Sequence, residues 1–202
     1  MTITNQTIPS TRQIWNMIGW SFIQMLKKKS HMIHMLRPKE RMSRLTVYVN
    51  DDHAHDQVTR RLMTGIIVFL NNTPIKWYSK RQKTVELSMY GLELVAAHIA
   101  TKLTMELGYT LRMLGVPLDK PALMLGDNMS VVLNTTVPSS VLKKKHLGID
   151  YHRVRKAIAA KVLRFAHVRS EENLADILTK ALPNPAFHGL LKPILFRVPA
   201  HM

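Results

Sequence analysis

The sequence predicts an α/β fold, a mixed five-stranded sheet flanked by helices, and three observations predict it. Three β-branched and aromatic segments come first, with a hairpin turn between the second and third. A long one-faced helix follows, and beyond it short apolar strands alternate with helices. A hairpin demands antiparallel pairing, whereas a helical crossover returns the chain parallel to its partner, so the sheet must be mixed.

The first strand is Leu45-Thr46-Val47-Tyr48-Val49, where β-branched and aromatic side chains suit a pleated, half-buried surface. Gly65-Ile66-Ile67-Val68-Phe69-Leu70 and Ile75-Lys76-Trp77-Tyr78 flank the turn residues Asn71-Asn72-Thr73-Pro74 and read as the two arms of a hairpin. Over residues 88–107, Leu92, Val95, Ala96, Ile99, Leu103 and Leu107 recur at helical spacing, which predicts a helix with one buried face. Pro117 and Pro121 precede the apolar run Ala122-Leu123-Met124-Leu125, a strand tipped by Gly126-Asp127, and residues 128–134 read as a short helix. Residues 149–160 read as a helix and 161–168 as a strand, and Ser170-Glu171-Glu172-Asn173 opens a last helix that reaches Ala181 before Pro183 and Pro185 stop it.

Upstream, Ile14, Ile18, Phe22 and Met25 lie on one helical face and precede Lys27-Lys28-Lys29. Residues 1–44 therefore read as a basic helical extension, 45–182 as the folded domain and 183–202 as a C-terminal tail. The extension either packs on the main core or belongs to a preceding domain.

A chain of 202 residues that is 46% hydrophobic suffices for one core. Its 29 Lys and Arg against 13 Asp and Glu give a formal charge of +16, which favours a polyanion through counterion release, with nucleic acid the first partner to consider. The absence of cysteine excludes disulfides and thiolate metal sites and fits a reducing compartment. Met1 to Ser10 lack the apolar core of a secretory signal and no run approaches 18 apolar residues, so the chain reads as soluble, with no membrane partner.

With so few acids, their positions carry information. Asp51 and Asp52 follow the first strand, Glu93 lies early in the long helix, Asp127 follows the fourth strand and Asp176 lies in the last helix. Brought to one sheet edge, such carboxylates repel unless cations neutralise them, which points to Mg²⁺ or Mn²⁺ and to phosphodiester hydrolysis by paired ions. A plainer reading stands beside it: Asp127 as a helix cap, Asp51 and Asp52 as loop acids, Glu93 and Asp176 on solvated helix faces.

Several motifs resemble a known family. Thr59-Arg60-Arg61, Gly65, the run from Pro74 to Val85, Leu94-Val95-Ala96, Gly126-Asp127-Asn128-Met129-Ser130, Lys145-His146 and the run from Asn173 to Lys180 are similar, in this order, to the ribonuclease H region of Ty1/copia retrotransposon polyproteins. The resemblance runs over residues 45–182, and residues 11–44 resemble the tail of the preceding reverse transcriptase. It implies a ribonuclease H-like fold and cleavage of the RNA strand of an RNA–DNA hybrid by two metal ions, Mg²⁺ or Mn²⁺, held on four acids. It also implies an intracellular setting, either cytoplasmic in a virus-like particle or nuclear.

Three of the four acids match, namely Glu93, Asp127 and Asp176. The family pattern Tyr-x-Asp-Ala-Asp-x-Ala meets Tyr48-Val49-Asn50-Asp51-Asp52-His53-Ala54, so Asn50 stands where the first catalytic aspartate is expected. An amide offers one neutral oxygen and cannot bridge two metals as a carboxylate does. By strand alternation Asp51 falls on the opposite face, and Asp52 falls on the correct face but one residue pair further on, so neither is a clean substitute, although Asp52 stays among the candidate ligands. The resemblance implies that His167, just upstream of Asn173, corresponds to the histidine that assists product release in many ribonucleases H, beside the plainer reading of a structural histidine at a strand end. Further departures are Ser88-Met89-Tyr90-Gly91-Leu92-Glu93, where the family has Ser-Ser-Thr-x-x-Glu, and Leu62-Met63 in place of small hydroxyl residues.

Nucleic-acid contacts are expected from Lys80, Arg81 and Gln82, from Lys143, Lys144, Lys145 and His146 with Arg153, Arg155 and Lys156 beyond them, and from Asn128 and Ser130, which are placed to reach a phosphate or a 2′-hydroxyl. Three functions follow: a metal-dependent hybrid nuclease weakened at Asn50, a catalytically inactive nucleic-acid-binding remnant, or a basic interaction module docked through its N-terminal extension.

Overall fold

The computed structural model describes residues 43–52, 63–81, 88–118 and 121–195. The extension expected over residues 1–44 lies almost wholly outside them, as do Thr59-Arg60-Arg61 and Gln82. Residues 43–194 fall within one compact unit, built on a five-stranded sheet of order β3-β2-β1-β4-β5.

Strand β1 (Leu45–Asp52) pairs antiparallel with β2 (Met63–Leu70), which pairs antiparallel with β3 (Thr73–Arg81). The hairpin turns at Asn71, whose φ of 57° is a left-handed conformation that asparagine tolerates better than most residues. The same Asn71 ties the turn to the start of β1: its N–H donates to Arg44 O at 2.7 Å, and its Oδ1 accepts from Arg44 N at 2.9 Å. A register shift between Val68 and Phe69 accommodates Pro74, which has no N–H for the ladder.

Helix α1 (Met89–Met113) runs six residues past the point that periodicity alone indicated. Ser88 caps its start by accepting from Gly91 N at 3.1 Å. Its end comes at Gly115, whose φ of 72° suits a glycine and stops the helical path. The face it buries is also turned toward small residues: Ala96, Ala97, Ala100, Thr101 and Thr104 are buried, while Val95, Ile99, Leu103 and Leu107 only flank the core. Small side chains let the helix approach β1 closely. The buried hydroxyls of Thr101 and Thr104 return to Ala97 O at 2.7 Å and Ala100 O at 2.6 Å, so their burial leaves no donor unsatisfied.

Strand β4 (Ala122–Gly126) pairs parallel with β1 and with β5 (Leu163–His167), and α2 (Met129–Thr136) and α3 (Gly148–Ala159) lie between them in sequence. The carboxyl ends of β1, β4 and β5 therefore lie along one edge of the sheet, the place where open α/β sheets bind ligands.

The expected last helix over 173–181 is replaced by two short 3₁₀ segments, Ser170–Glu172 and Leu174–Leu178. The cause is Asn173, fully buried, which binds the sheet through Nδ2 to Val49 O at 3.0 Å and turns the chain by accepting from Ala175 N at 3.2 Å. The expected C-terminal tail likewise contains a helix, α4 (Asn184–Leu191), with Leu190 and Ile194 buried. Pro185 sits in its first turn, where a missing N–H costs nothing, and so starts the helix where a stop was predicted. Among the described residues no helix is long and apolar enough to cross a membrane.

Candidate functional site

The alternation of β1 divides its acids and amides between two faces. Val47, Val49 and Asp51 turn toward α1, while Asn50 lies on the face covered by Leu174–Leu178. Asn50 pairs in register with Gly65, and Gly65 with Ser79, so one row crosses three strands. Each member meets the 3₁₀ segment. Asn50 Nδ2 donates to Asp176 Oδ1 at 2.5 Å and to Thr179 Oγ1 at 2.9 Å, and Ser79 Oγ donates to Leu178 O at 3.0 Å. A Cβ at Gly65 would lie 2.6 Å from Thr179 Cγ2 and 2.8 Å from Ala175 O, so only glycine lets the segment rest on β2.

Asp176 is held on both sides. One carboxylate oxygen receives the Asn50 amide, and the other receives Lys180 Nζ at 3.0 Å. This fixes the amide orientation of Asn50, because reversing it would set Oδ1 against a carboxylate and forfeit both donations. Among the described residues Asn50 Oδ1 consequently has no hydrogen-bond partner although the residue is only 1% exposed, a cost the two donated bonds must offset.

On the α1 side, Glu93 is buried and its carboxyl is pushed well above the usual range, first by burial, then by the like charges of Asp127 and Asp51. The Asp51 backbone N–H and the Lys180 ammonium pull it partway back. Asp51 is itself buried, with Thr64 Oγ1 donating to its Oδ2 at 3.3 Å. At the tip of β4, Asp127 accepts from Ser170 Oγ at 3.0 Å through Oδ2, while Oδ1 has no hydrogen-bond partner among the described residues. His167, opposite Gly126 in the sheet, is exposed and places Nε2 3.1 Å from Asp127 O.

Asn50, Asp176 and Thr179 are thus in direct contact, and Glu93 sits within the electrostatic reach of Asp51, Asp127 and Lys180. Asp127 caps no helix. That role falls to Asn128, whose Oδ1 accepts from Val131 N at 3.2 Å and is spent on α2. Asp52 ends β1 opposite Met63, and its side chain lies outside the described residues. Asp51 was counted among the acids but set aside by strand alternation, and Lys180 was not among the sequence-derived site residues. The signal that could have found Asp51 is its departure from the alanine of the resembled pattern; for Lys180 it is the spacing of four from Asp176.

The donor set does not fit a pair of divalent ions. Among the described residues no group of three or more His, Asp or Glu side chains could hold a metal, and both oxygens of Asp176 already face cationic or amide donors. Among the described residues, Glu93, Asp127 and Asp176 therefore do not form a group that could hold a metal.

The basic residues divide into two groups. Lys80 and Arg81 at the end of edge strand β3, Lys143, Lys145 and His146 ahead of α3, and Ser130 on α2 are exposed, while Lys144 is half-buried. Arg155 is not a phosphate contact: its guanidinium donates to the carbonyls of Asn134, Val137 and Pro138 and to Ser140 Oγ, and stacks on Tyr151 at 5.2 Å. It closes the loop between α2 and α3 by satisfying carbonyls that the end of α2 leaves open.

The mixed sheet with this order and these helices is a ribonuclease H-like fold. Solved structures agree: the N-terminal ribonuclease H domain of a Mycobacterium tuberculosis protein (TM-score 0.51, 16% identity, 74% of this chain and 96% of that one) and ribonuclease H1 of Halobacterium salinarum (0.52, 14%, 67% and 94%). LC11 ribonuclease H1, solved in complex with RNA/DNA hybrid, matches with a TM-score of 0.53 at 16% identity over 67% of this chain and 94% of that one. No family model matches the chain. Among curated proteins it is 33% identical over 156 residues, 77% of its length, to the retrovirus-related Pol polyprotein from transposon RE1 of Arabidopsis thaliana. It is 30% identical over 140 residues to that from transposon TNT 1-94 of Nicotiana tabacum. The chain belongs with the ribonuclease H domains of copia-type retrotransposon Pol polyproteins. It spans about a tenth of the length of these relatives, 11% and 10% respectively.

Proposed function

We propose that this domain binds RNA–DNA hybrid and that Asn50 disables the metal-dependent hydrolysis of its RNA strand. The observation that carries the reading is the Asn50 amide, which stands in place of the expected first acid and donates to Asp176, a residue a divalent ion would need as a ligand. Hybrid binding is supported by the charge of +16 and by the exposed cations Lys80, Arg81, Lys143 and Lys145, which suit a phosphate backbone. Exposed Ser130 suits a phosphate or 2′-hydroxyl, and His167 stands at the rim beside Asp127.

The test is cleavage and binding of a labelled RNA–DNA hybrid in Mg²⁺ and in Mn²⁺. The unmodified chain is expected to bind with a steep salt dependence and leave the RNA intact. Asn50→Asp is expected to introduce cleavage, and adding Asp127→Asn to abolish it again. Cleavage by the unmodified chain that Asp127→Asn removes would overturn the reading and make the domain a nuclease that tolerates an amide at position 50.

A further inference from the structure

We propose that the Asn50 amide and the Lys180 ammonium together are the resident replacement for divalent metal in this domain, holding its acidic cluster together without ions. The inference rests on the functional reading above and concerns what the disabled centre has become. Clustered carboxylates in a buried site need compensation, and ribonuclease H-type positions leave that task to cations from solution.

Here the chain supplies it. Asp176 is only 5% exposed, and its oxygens are met by one neutral donor at 2.5 Å and one ammonium at 3.0 Å. Thr179 accepts the second Asn50 hydrogen, so the amide also fastens the turn that follows Leu178. An aspartate at position 50 has no hydrogen to donate. It would set two carboxylates against each other, and a solution cation would then be required to bridge them.

The experiment is thermal unfolding of the unmodified chain, Asn50→Asp and Lys180→Met, each in EDTA and in millimolar Mg²⁺ or Mn²⁺, with calorimetric titration of the unmodified chain by Mn²⁺. The unmodified chain should show the same Tm in EDTA and in metal, and no saturable Mn²⁺ heat. Both variants should melt roughly 4 °C or more lower in EDTA. Asn50→Asp should also recover most of that loss when metal is added. The proposal is overturned if metal raises the Tm of the unmodified chain, if Mn²⁺ titrates it with a saturable heat, or if both variants melt with the unmodified chain in EDTA. Should either variant fail to fold, the titration of the unmodified chain decides alone. Hybrid cleavage by the unmodified chain sinks the functional reading independently of these melting curves.

Discussion

Asn50 and Asp176 lie 126 positions apart in sequence and 2.5 Å apart in the fold, with the amide donating and the carboxylate accepting. Because Asn50 also donates to Thr179, a single side chain on the central strand fixes the segment that carries Asp176. Replacement by alanine removes both bonds and leaves a buried carboxylate short of a donor. Asn50→Ala is expected to cost roughly 2 kcal/mol in chemical denaturation, the scale of a hydrogen bond to a charged group.

Gly65 is the neighbour of Asn50 across β1 and β2, and its missing side chain is as consequential. With Thr179 Cγ2 at 2.6 Å and Ala175 O at 2.8 Å from an added Cβ, Gly65→Ala must push the 3₁₀ segment off the sheet. A loss of about 1–3 kcal/mol is expected from such overpacking, measured as a lowered denaturation midpoint. Gly148→Ala, where nothing lies within 4 Å, serves as the neutral control.

Glu93 gives the domain a pH dependence of definite sign. Its folded carboxyl titrates well above the ordinary value of 4.5 because burial and the charges of Asp127 and Asp51 disfavour ionisation. A folded state that holds a proton more tightly than the unfolded chain is most stable below the unfolded value and loses stability as pH rises through the folded one. Glu93→Gln removes that titration. The variant is expected to be more stable than the unmodified chain at neutral pH, with the advantage shrinking as pH falls toward 4.5. An advantage that grew on acidification would contradict the assignment.

Arg155 and the lysines ahead of α3 contrast a structural cation with cations proposed to bind hybrid. Arg155→Ala removes four donations to the α2–α3 loop, among them the one to Pro138 O, and is expected to lower stability by roughly 1–3 kcal/mol. Lys143→Ala with Lys145→Ala is expected to leave stability unchanged and to flatten the salt dependence of hybrid binding by about one unit of log–log slope for each phosphate that is no longer neutralised. Binding curves at several salt concentrations, set beside melting curves, check both.

β-branched and apolar runs, together with the hairpin turn, sufficed to place all five strands, because both are local properties of the chain. The reading of the terminal segment as one helix failed at Asn173, where a buried side chain bonded to Val49 overrides helical spacing. That bond joins positions 124 apart, and no local pattern can contain it. The candidate site shows the same division. Glu93, Asp127, Asp176 and the anomaly at Asn50 were visible as motif positions. That Asn50 donates to Asp176, that Lys180 closes its other side, and that Arg155 is spent on carbonyls depend on partners that only the fold supplies.

The sheet order also sets a sequence of events in time. The β2–β3 hairpin closes across Asn71 and Asn72, and β1 joins β2 from nearby in the chain, but Thr46 must find Leu123 before β4 is in place, and β5 must follow it. Loop closure over such spans is entropically costly until earlier pairings shorten them. The grip of Asn50 on Asp176, across 126 positions, is one more such closure, and its loop entropy is set against the bonds it forms.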